Sequence, residues 1–171
     1  MVTSEGPIEI ALYADKAPVT VSNFLRYVDA GLLNGGSFYR VVTAENDHGS
    51  PGIEVIQGGM GRGNEGFSPI EHETTRQTGI LHTDGVISMA RGDVDTASSQ
   101  FFICIGDQPG LDFGQLRNRD GLGFAAFGRV IEGMDIVRKI QDLPANSNVA
   151  SPYMKGQILN DTVVIMSVSR K

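Results

Sequence analysis

The sequence predicts an all-β fold in the main: a closed antiparallel β-barrel with two helices. Two observations point there. Short apolar stretches recur along the chain between turns rich in glycine, with 22 glycines among 171 residues. Only two segments carry helical spacing, too few for the regular strand–helix alternation of a parallel α/β sheet. The length suits one domain spanning 1–171, enough to bury a real core.

Taken in order, Ile8, Ile10 and Leu12 alternate with Glu9, Ala11 and Tyr13 after a Gly6-Pro7 turn, the period of a half-buried strand. Pro18 suits the first turn of a helix. Val21, Phe24, Leu25 and Val28 follow at helical spacing, Asn23, Arg26 and Asp29 lie off that stripe, and Gly31 supplies a stop. After the Asn34-Gly35-Gly36 turn, Ser37 to Val42 reads as a strand interrupted by Arg40. On its own, an arginine in a strand is more often an edge charge than a catalyst.

Residues 43–52 are polar and turn-rich, with no periodicity. Beyond them, Gly61 to Gly66 matches G-x-G-x-x-G, but no helical pattern follows, so a dinucleotide loop is not expected. Glu71-His72-Glu73 with His82 fits no familiar zinc spacing, and no metal is expected.

Gly85 to Ala90 and Phe101 to Ile105 read as strands around a polar loop, Gly92 to Ala97. Gln100 and Phe102 then share one face and Phe101 takes the other. An amide beside an aromatic ring could hold an extended peptide, the amide bonding its backbone and the ring taking one apolar side chain. Cys104, the only cysteine, sits in this apolar pattern and reads as a buried structural thiol. Residues 106–123 are irregular. Phe124 to Phe127 resumes a strand, and Met134, Val137, Ile140 and Gln141 suggest a short helix ended before Pro144. Residues 146–157 are loop, and Thr162 to Val168 closes with an apolar strand.

A net charge of −6 argues against a nucleic-acid partner. One cysteine excludes an internal disulfide framework. No apolar run is long enough to span a membrane, and no membrane partner is expected. The N-terminus has no leader pattern, so the default compartment is cytoplasmic, or periplasmic if a leader was removed. Ser88, Ser98 and Ser99 have no nearby histidine pattern that would activate them, which leaves a hydrolase poorly supported.

Several blocks then occur in a characteristic order: Ala17-Pro18-Val19-Thr20-Val21-Ser22-Asn23-Phe24, Phe38-Tyr39-Arg40-Val41-Val42, Gln57-Gly58-Gly59, Ser88-Met89-Ala90-Arg91, Ser99-Gln100-Phe101-Phe102-Ile103, and Phe127-Gly128-Arg129-Val130-Ile131-Glu132-Gly133-Met134. The ordered match runs from about residue 6 to the C-terminus. The set resembles the cyclophilin family of peptidyl-prolyl cis-trans isomerases, in its divergent bacterial form. The resemblance implies an eight-stranded barrel with a helix over each end, an interior packed with apolar side chains, and an active groove on the outer face. It implies rotation about X–Pro bonds in proline-containing peptides and unfolded proteins, without a cofactor, by a monomer.

The same resemblance assigns site residues. Arg40 takes the catalytic position. Gln57 and Gln100 hold the substrate backbone, Phe102 floors the proline pocket and Leu111 walls it. Ala90 and Arg91 form the strand edge along which the peptide runs. Phe124 stands where the family usually has histidine or tyrosine, and so lacks a polar tip. The family's Phe-Met pair before the glutamine is replaced around Glu54 and Val55; one extra residue would leave Ile53 and Val55 on one face. The family's drug-contacting aromatic aligns near Gly110, implying weak cyclosporin binding. Finally, 17 positions separate Arg40 from Gln57, more than in the family, so residues 43–52 are an insertion beside the groove. A tolerated solvated loop and a substrate-selecting one both fit. These departures keep open a second function, a catalytically weak module that binds proline-containing segments.

Overall fold

Residues Gly6 to Leu12 form the stave on which the sheet closes. The computed structural model describes residues 1–171 except Arg62, Asn64 and Asn148; the Gly61–Gly66 match therefore falls partly outside the described residues, as does one position of the 146–157 loop. The chain runs β1 (Val2–Thr3), β2 (Gly6–Pro7), β3 (Glu9–Leu12), α1 (Pro18–Asp29), β4 (Ser37–Val42), β5 (Val55–Gly59), α2 (Thr75–Thr78), β6 (Val86–Met89), β7 (Gln100–Cys104), β8 (Ala125–Glu132), α3 (Met134–Gln141) and β9 (Ile158–Ser167). The sheet order is β2-β1-β9-β4-β5-β7-β6-β8-β3, with antiparallel neighbours.

Among the described residues nine strands stand where eight were expected, because one stave is broken. β2 and β3 are consecutive in the chain and are separated only by Ile8. They pair with β1 at one margin of the sheet and β8 at the other. Even the break is bonded: the Ile8 N–H donates to the Met1 carbonyl at 2.9 Å, and the Met1 ammonium donates back at 3.0 Å. Counted as one bent strand, this stave closes eight into a barrel.

The helix of Pro18 behaves as its sequence predicts, with proline in the first turn and Gly31 at φ +67° just past the end. One expectation fails: Asn23 is buried, and its amide donates to the Ser98 carbonyl at 2.6 Å, tying α1 to the start of β7. Ala17 precedes the helix and cannot cap it. Glu73, 53 residues beyond Thr20, supplies the acceptors instead. Its carboxylate takes the N–H of Val19 at 3.1 Å, the N–H of Thr20 at 2.8 Å and the Thr20 hydroxyl at 2.6 Å. Among the described residues no group of three or more His, Cys, Asp or Glu side chains could hold a metal.

At the other end, α3 covers the barrel with Val137 and Ile140, and Gln141 donates to the Val42 carbonyl at 2.9 Å. Between the helices the interior is filled by side chains. Phe24, Phe38, Phe101 and Phe127 meet there, with the Phe101 ring edge-on to Phe24 at 5.6 Å and to Phe38 at 5.7 Å.

Period-two alternation divides β7 between two apolar clusters. Phe101 and Ile103 enter the barrel interior. Phe102 and Cys104 face outward into a second cluster with Val42, Ile53, Val55 and Leu111. Burial pushes the Cys104 thiol well up, consistent with a structural role. The sequence reading missed β5, whose Gly58-Gly59 looks like a turn, and the short capped helix α2. It started β9 four residues late and ended β8 early.

Candidate active site

Strict alternation would place Arg40 inside the barrel. Phe38 and Val41 both enter the interior, which requires one extra residue between them. The register supplies it: Phe38 pairs with Gly58 but Arg40 with Gln57, a bulge at Tyr39 on β4. The bulge turns Arg40 to the outer face, where its charge escapes the core.

Once there, Arg40 belongs to a row that crosses four strands in register. Arg40 opposes Gln57, Gln57 opposes Phe102, and Phe102 opposes Ser88. The next row, Val42–Val55–Cys104, is apolar. Ile53 and Val55 share the groove face, whereas Glu54 reaches toward Gln141.

A cavity of about 280 Å³ lies over these rows. Arg40, Ile53, Val55, Gln57, Ala90, Arg91, Phe102, Leu111 and Phe124 all line it. Gln100, the remaining expected site residue, does not. It lies two positions from Phe102 on the same strand face, opposite Gly59. A side chain at residue 59 would place Cβ 2.7 Å from the Gln100 amide nitrogen, so glycine there lets the amide lie flat. A larger cavity of about 760 Å³, beside α1 and residues 168–171, contains none of these residues.

The Arg40 guanidinium is held on two sides. Its Nε and one terminal nitrogen donate to Gln157 Oε1 at 2.9 and 2.7 Å, and the other terminal nitrogen donates to Gln57 Oε1 at 2.9 Å. Gln57 in turn donates to the Tyr39 hydroxyl at 2.9 Å. A guanidinium has five N–H groups; two of Arg40's have no partner among the described residues. The Tyr153 ring lies 5.3 Å from this guanidinium.

Two further arginines line the cavity, but each is committed to a carboxylate. Arg91 pairs with Asp120 at 2.7 Å, donates to the Gly123 carbonyl at 2.6 and 3.0 Å, and sits 5.4 Å from the Phe124 ring centre. Its side chain is only 1% exposed, so it braces the loop carrying Phe124 more than it presents an edge. The Arg91 hydrogen bonds hold the Asp120 carboxyl below its usual value. Arg117 pairs with Asp47 at 2.6 Å. Burial pushes Asp47 up, but hydrogen bonds from Arg117, Gly49 and Ile53 outweigh it, and the carboxyl titrates below the ordinary range. Hydrogen bonding to Asp47 and Tyr153 likewise overcomes burial and raises Arg117. By contrast, the partners of Arg40 among the described residues are neutral amides, which leaves it the uncompensated cation of the groove.

Phe102 is 5% exposed and forms the floor. Phe124 meets it edge-on at 5.5 Å, and His82 stacks behind it at 6.0 Å with planes 19° apart. His82 corrects the serine reading. Its Nε2 lies 2.9 Å from Ser88 Oγ and its Nδ1 lies 2.7 Å from Asp112 Oδ1, a Ser-His-Asp chain. Ser88 has no exposed surface, however, so its hydroxyl cannot meet a substrate carbonyl. The chain instead packs the floor from beneath.

Sequence reasoning missed Gln157, Tyr153 and Arg117. Gln157 and Arg117 carry no local signal. Tyr153 is the only aromatic of residues 144–157, which could have marked it.

Comparison with known proteins gives a consistent result. The family model for the cyclophilin type peptidyl-prolyl cis-trans isomerases matches residues 1–169. Peptidyl-prolyl cis-trans isomerase A of Dickeya dadantii is 38% identical over 178 residues, covering 98% of this chain and 80% of that protein. Peptidyl-prolyl cis-trans isomerase B of Escherichia coli is 32% identical over 176 residues, covering 98% and 95%. Among solved structures, a Cryptosporidium parvum cyclophilin type isomerase, studied in the presence of the dipeptide Ala-Pro, superposes with a TM-score of 0.67. It is 22% identical and covers 96% of each chain, a likeness of fold.

Proposed function

Because the chain belongs to the cyclophilin type peptidyl-prolyl cis-trans isomerases, we propose that the Arg40 groove is where it rotates X–Pro bonds. Rotation breaks amide resonance and meets a barrier of about 18–20 kcal/mol. No bond to another atom forms, so neither nucleophile nor cofactor is required. The site must favour the twisted amide over both planar forms. As the amide twists, the prolyl nitrogen becomes pyramidal and regains a lone pair. A fixed cation donating to that nitrogen stabilises the transition state selectively, and arginine stays charged while doing so.

One observation carries this reading: Arg40 is clamped by two amide oxygens, keeps two N–H groups unpaired among the described residues, and shares a cavity with Phe102 and Leu111. The proline ring would rest on Phe102 against Leu111, Phe124, Ile53 and Val55. Gln57 gives Arg40 one acceptor and also lines the cavity, so it holds the catalyst beside the substrate backbone. Gln100 Oε1 is buried with no partner among the described residues, so its amide would have to turn toward the groove before it accepts a peptide N–H. Ala90 marks the edge along which the peptide runs. The solved relative's use of Ala-Pro agrees with this substrate class. The working form is a monomer, with residues 1–171 as one domain.

The test is cis/trans exchange of an Ala-Pro peptide followed by NMR, for the wild type and Arg40→Ala. Removing one preorganised donor of this kind costs about 10²–10³-fold in rate. Exchange accelerated by the wild type and lost in the variant supports the assignment. Equal acceleration by both proteins would falsify the role of Arg40. Peptide-induced shifts without exchange in either would favour a binding module.

A further inference from the structure

The loop of residues 43–52 reaches Arg40 from two sides, and neither contact belongs to a loop that merely floats in solvent. The first arm starts at Asn46. Its backbone carbonyl accepts from Gln157 Nε2 at 2.7 Å, while its side-chain amide donates to the Gly156 carbonyl at 2.9 Å. The Asn46 side-chain oxygen accepts from the Thr43 N–H at 2.8 Å, so the residue is fixed within its own loop. Gln157 has no exposed surface, and its oxygen receives both N–H bonds from one edge of the Arg40 guanidinium.

The second arm starts one residue later. Both Asp47 oxygens take N–H bonds from Arg117, at 2.6 and 2.8 Å, with the two side chains 4% and 3% exposed. Arg117 also donates to the Pro51 carbonyl at 2.8 Å and to the Tyr153 hydroxyl at 2.7 Å. The Tyr153 ring lies 5.7 Å from Arg117 and 5.3 Å from Arg40. Pro51 seats on Gly110, where an added Cβ would lie 2.5 Å from the proline ring; only glycine admits it.

We propose that the 43–52 loop is a positioning element for the Arg40 guanidinium, acting through Asn46–Gln157 on one edge and Asp47–Arg117–Tyr153 on its face. The inference rests on Arg40 acting as described above. A long unbranched side chain loses rotamer freedom when it is held, and here the holding is complete before substrate arrives. Asn46 and Asp47 are adjacent, so a loop that shifts carries both arms with it. Asn46 and Asp47 do not line the cavity; they act through Arg40.

The experiment compares wild type, Arg40→Ala, Asn46→Ser, Asp47→Ala, Asp47→Asn and Asp47→Glu. Two quantities are read: kcat and KM on an Ala-Pro peptide, and the Arg40 Nε–H signal in a 15N–1H spectrum, assigned by its loss in Arg40→Lys. Misplacing a catalytic group by about an ångström costs up to roughly a hundredfold in rate. Asn46→Ser and Asp47→Ala should lower kcat with KM nearly unchanged, move the Nε–H signal and speed its exchange with water. Asp47→Glu, which keeps the carboxylate, should recover part of both. Asp47→Asn keeps the shape and serves if Asp47→Ala does not fold. Folded loop variants with wild-type kcat and an unmoved Nε–H signal, beside an inactive Arg40→Ala, overturn the positioning role alone. An active Arg40→Ala overturns the reading it rests on.

Discussion

Glu73 caps a helix from a distant stretch of chain, and removing it tests the fold quantitatively. Both carboxylate oxygens are used, on two backbone N–H groups and one hydroxyl of the first turn of α1. Losing a side-chain cap costs about 0.5–2 kcal/mol. Losing a negative charge at a helix N-terminus costs about 0.3–1 kcal/mol more. Glu73→Ala should therefore cost about 2–3 kcal/mol, since all three bonds go at once. For a chain of this size that is a fall in Tm of roughly 4–12 °C. Glu73→Gln keeps one acceptor and should lose about half as much. Urea denaturation at pH 7 gives the free energies, with Thr20→Ala completing a cycle. Because the Thr20 hydroxyl bonds the same carboxylate, the double variant should cost less than the sum by about 0.5–1 kcal/mol. A Glu73→Ala protein within about 0.5 kcal/mol of wild type would refute the capping argument, and so would strict additivity.

Three other expectations follow from the geometry. Phe101→Ala empties the barrel interior and should cost about 3–5 kcal/mol; Phe102→Ala should instead show its main loss in kcat/KM, and an equal activity loss in both would mean the two faces are misassigned. Asp47 has a folded pKa below its unfolded value, so its contribution is present above the unfolded value, about 3.9, and is lost as pH falls through the folded one. The stability gap between wild type and Asp47→Asn should stay constant from about pH 7 to 5 and close below about pH 4; a gap closing near neutrality would contradict this. Cyclosporin should bind weakly, because Pro51 occupies the space a side chain at Gly110 would need; a tight complex in a calorimetric titration would count against that placement.

What could be read in advance was whatever local periodicity encodes. The α1 stripe, the opposed faces of Phe101 and Phe102 and the α3 stripe follow from spacing alone. The outward direction of Arg40 does not, since it depends on a bulge at Tyr39 that no residue type announces. Likewise, the Gly58-Gly59 pair hid β5, because glycines that admit a neighbouring strand look like glycines that make a turn. Asn23 resembled the polar side of a helix until the Ser98 carbonyl gave it a partner. Besides Gln57, the contacts that fix Arg40 come from Gln157 and Tyr153, more than a hundred residues away in the chain, and only the closed topology brings them together. His82 and Ser88 are close in sequence, yet their bond depends on His82 folding under β6, which spacing does not reveal.

The split stave at Ile8 has a further consequence for a protein that handles extended polypeptides. Such chains readily join any exposed backbone row, and a sheet with a free margin would collect them as extra strands. Here both margins fall on the same bent run of seven residues, so the sheet offers a visiting chain only two short stretches, Gly6–Pro7 and Glu9–Leu12, to extend. Beyond the short edge at Ala90 a bound peptide meets side chains, and its release depends on loosening a few contacts, without unzipping a long ladder.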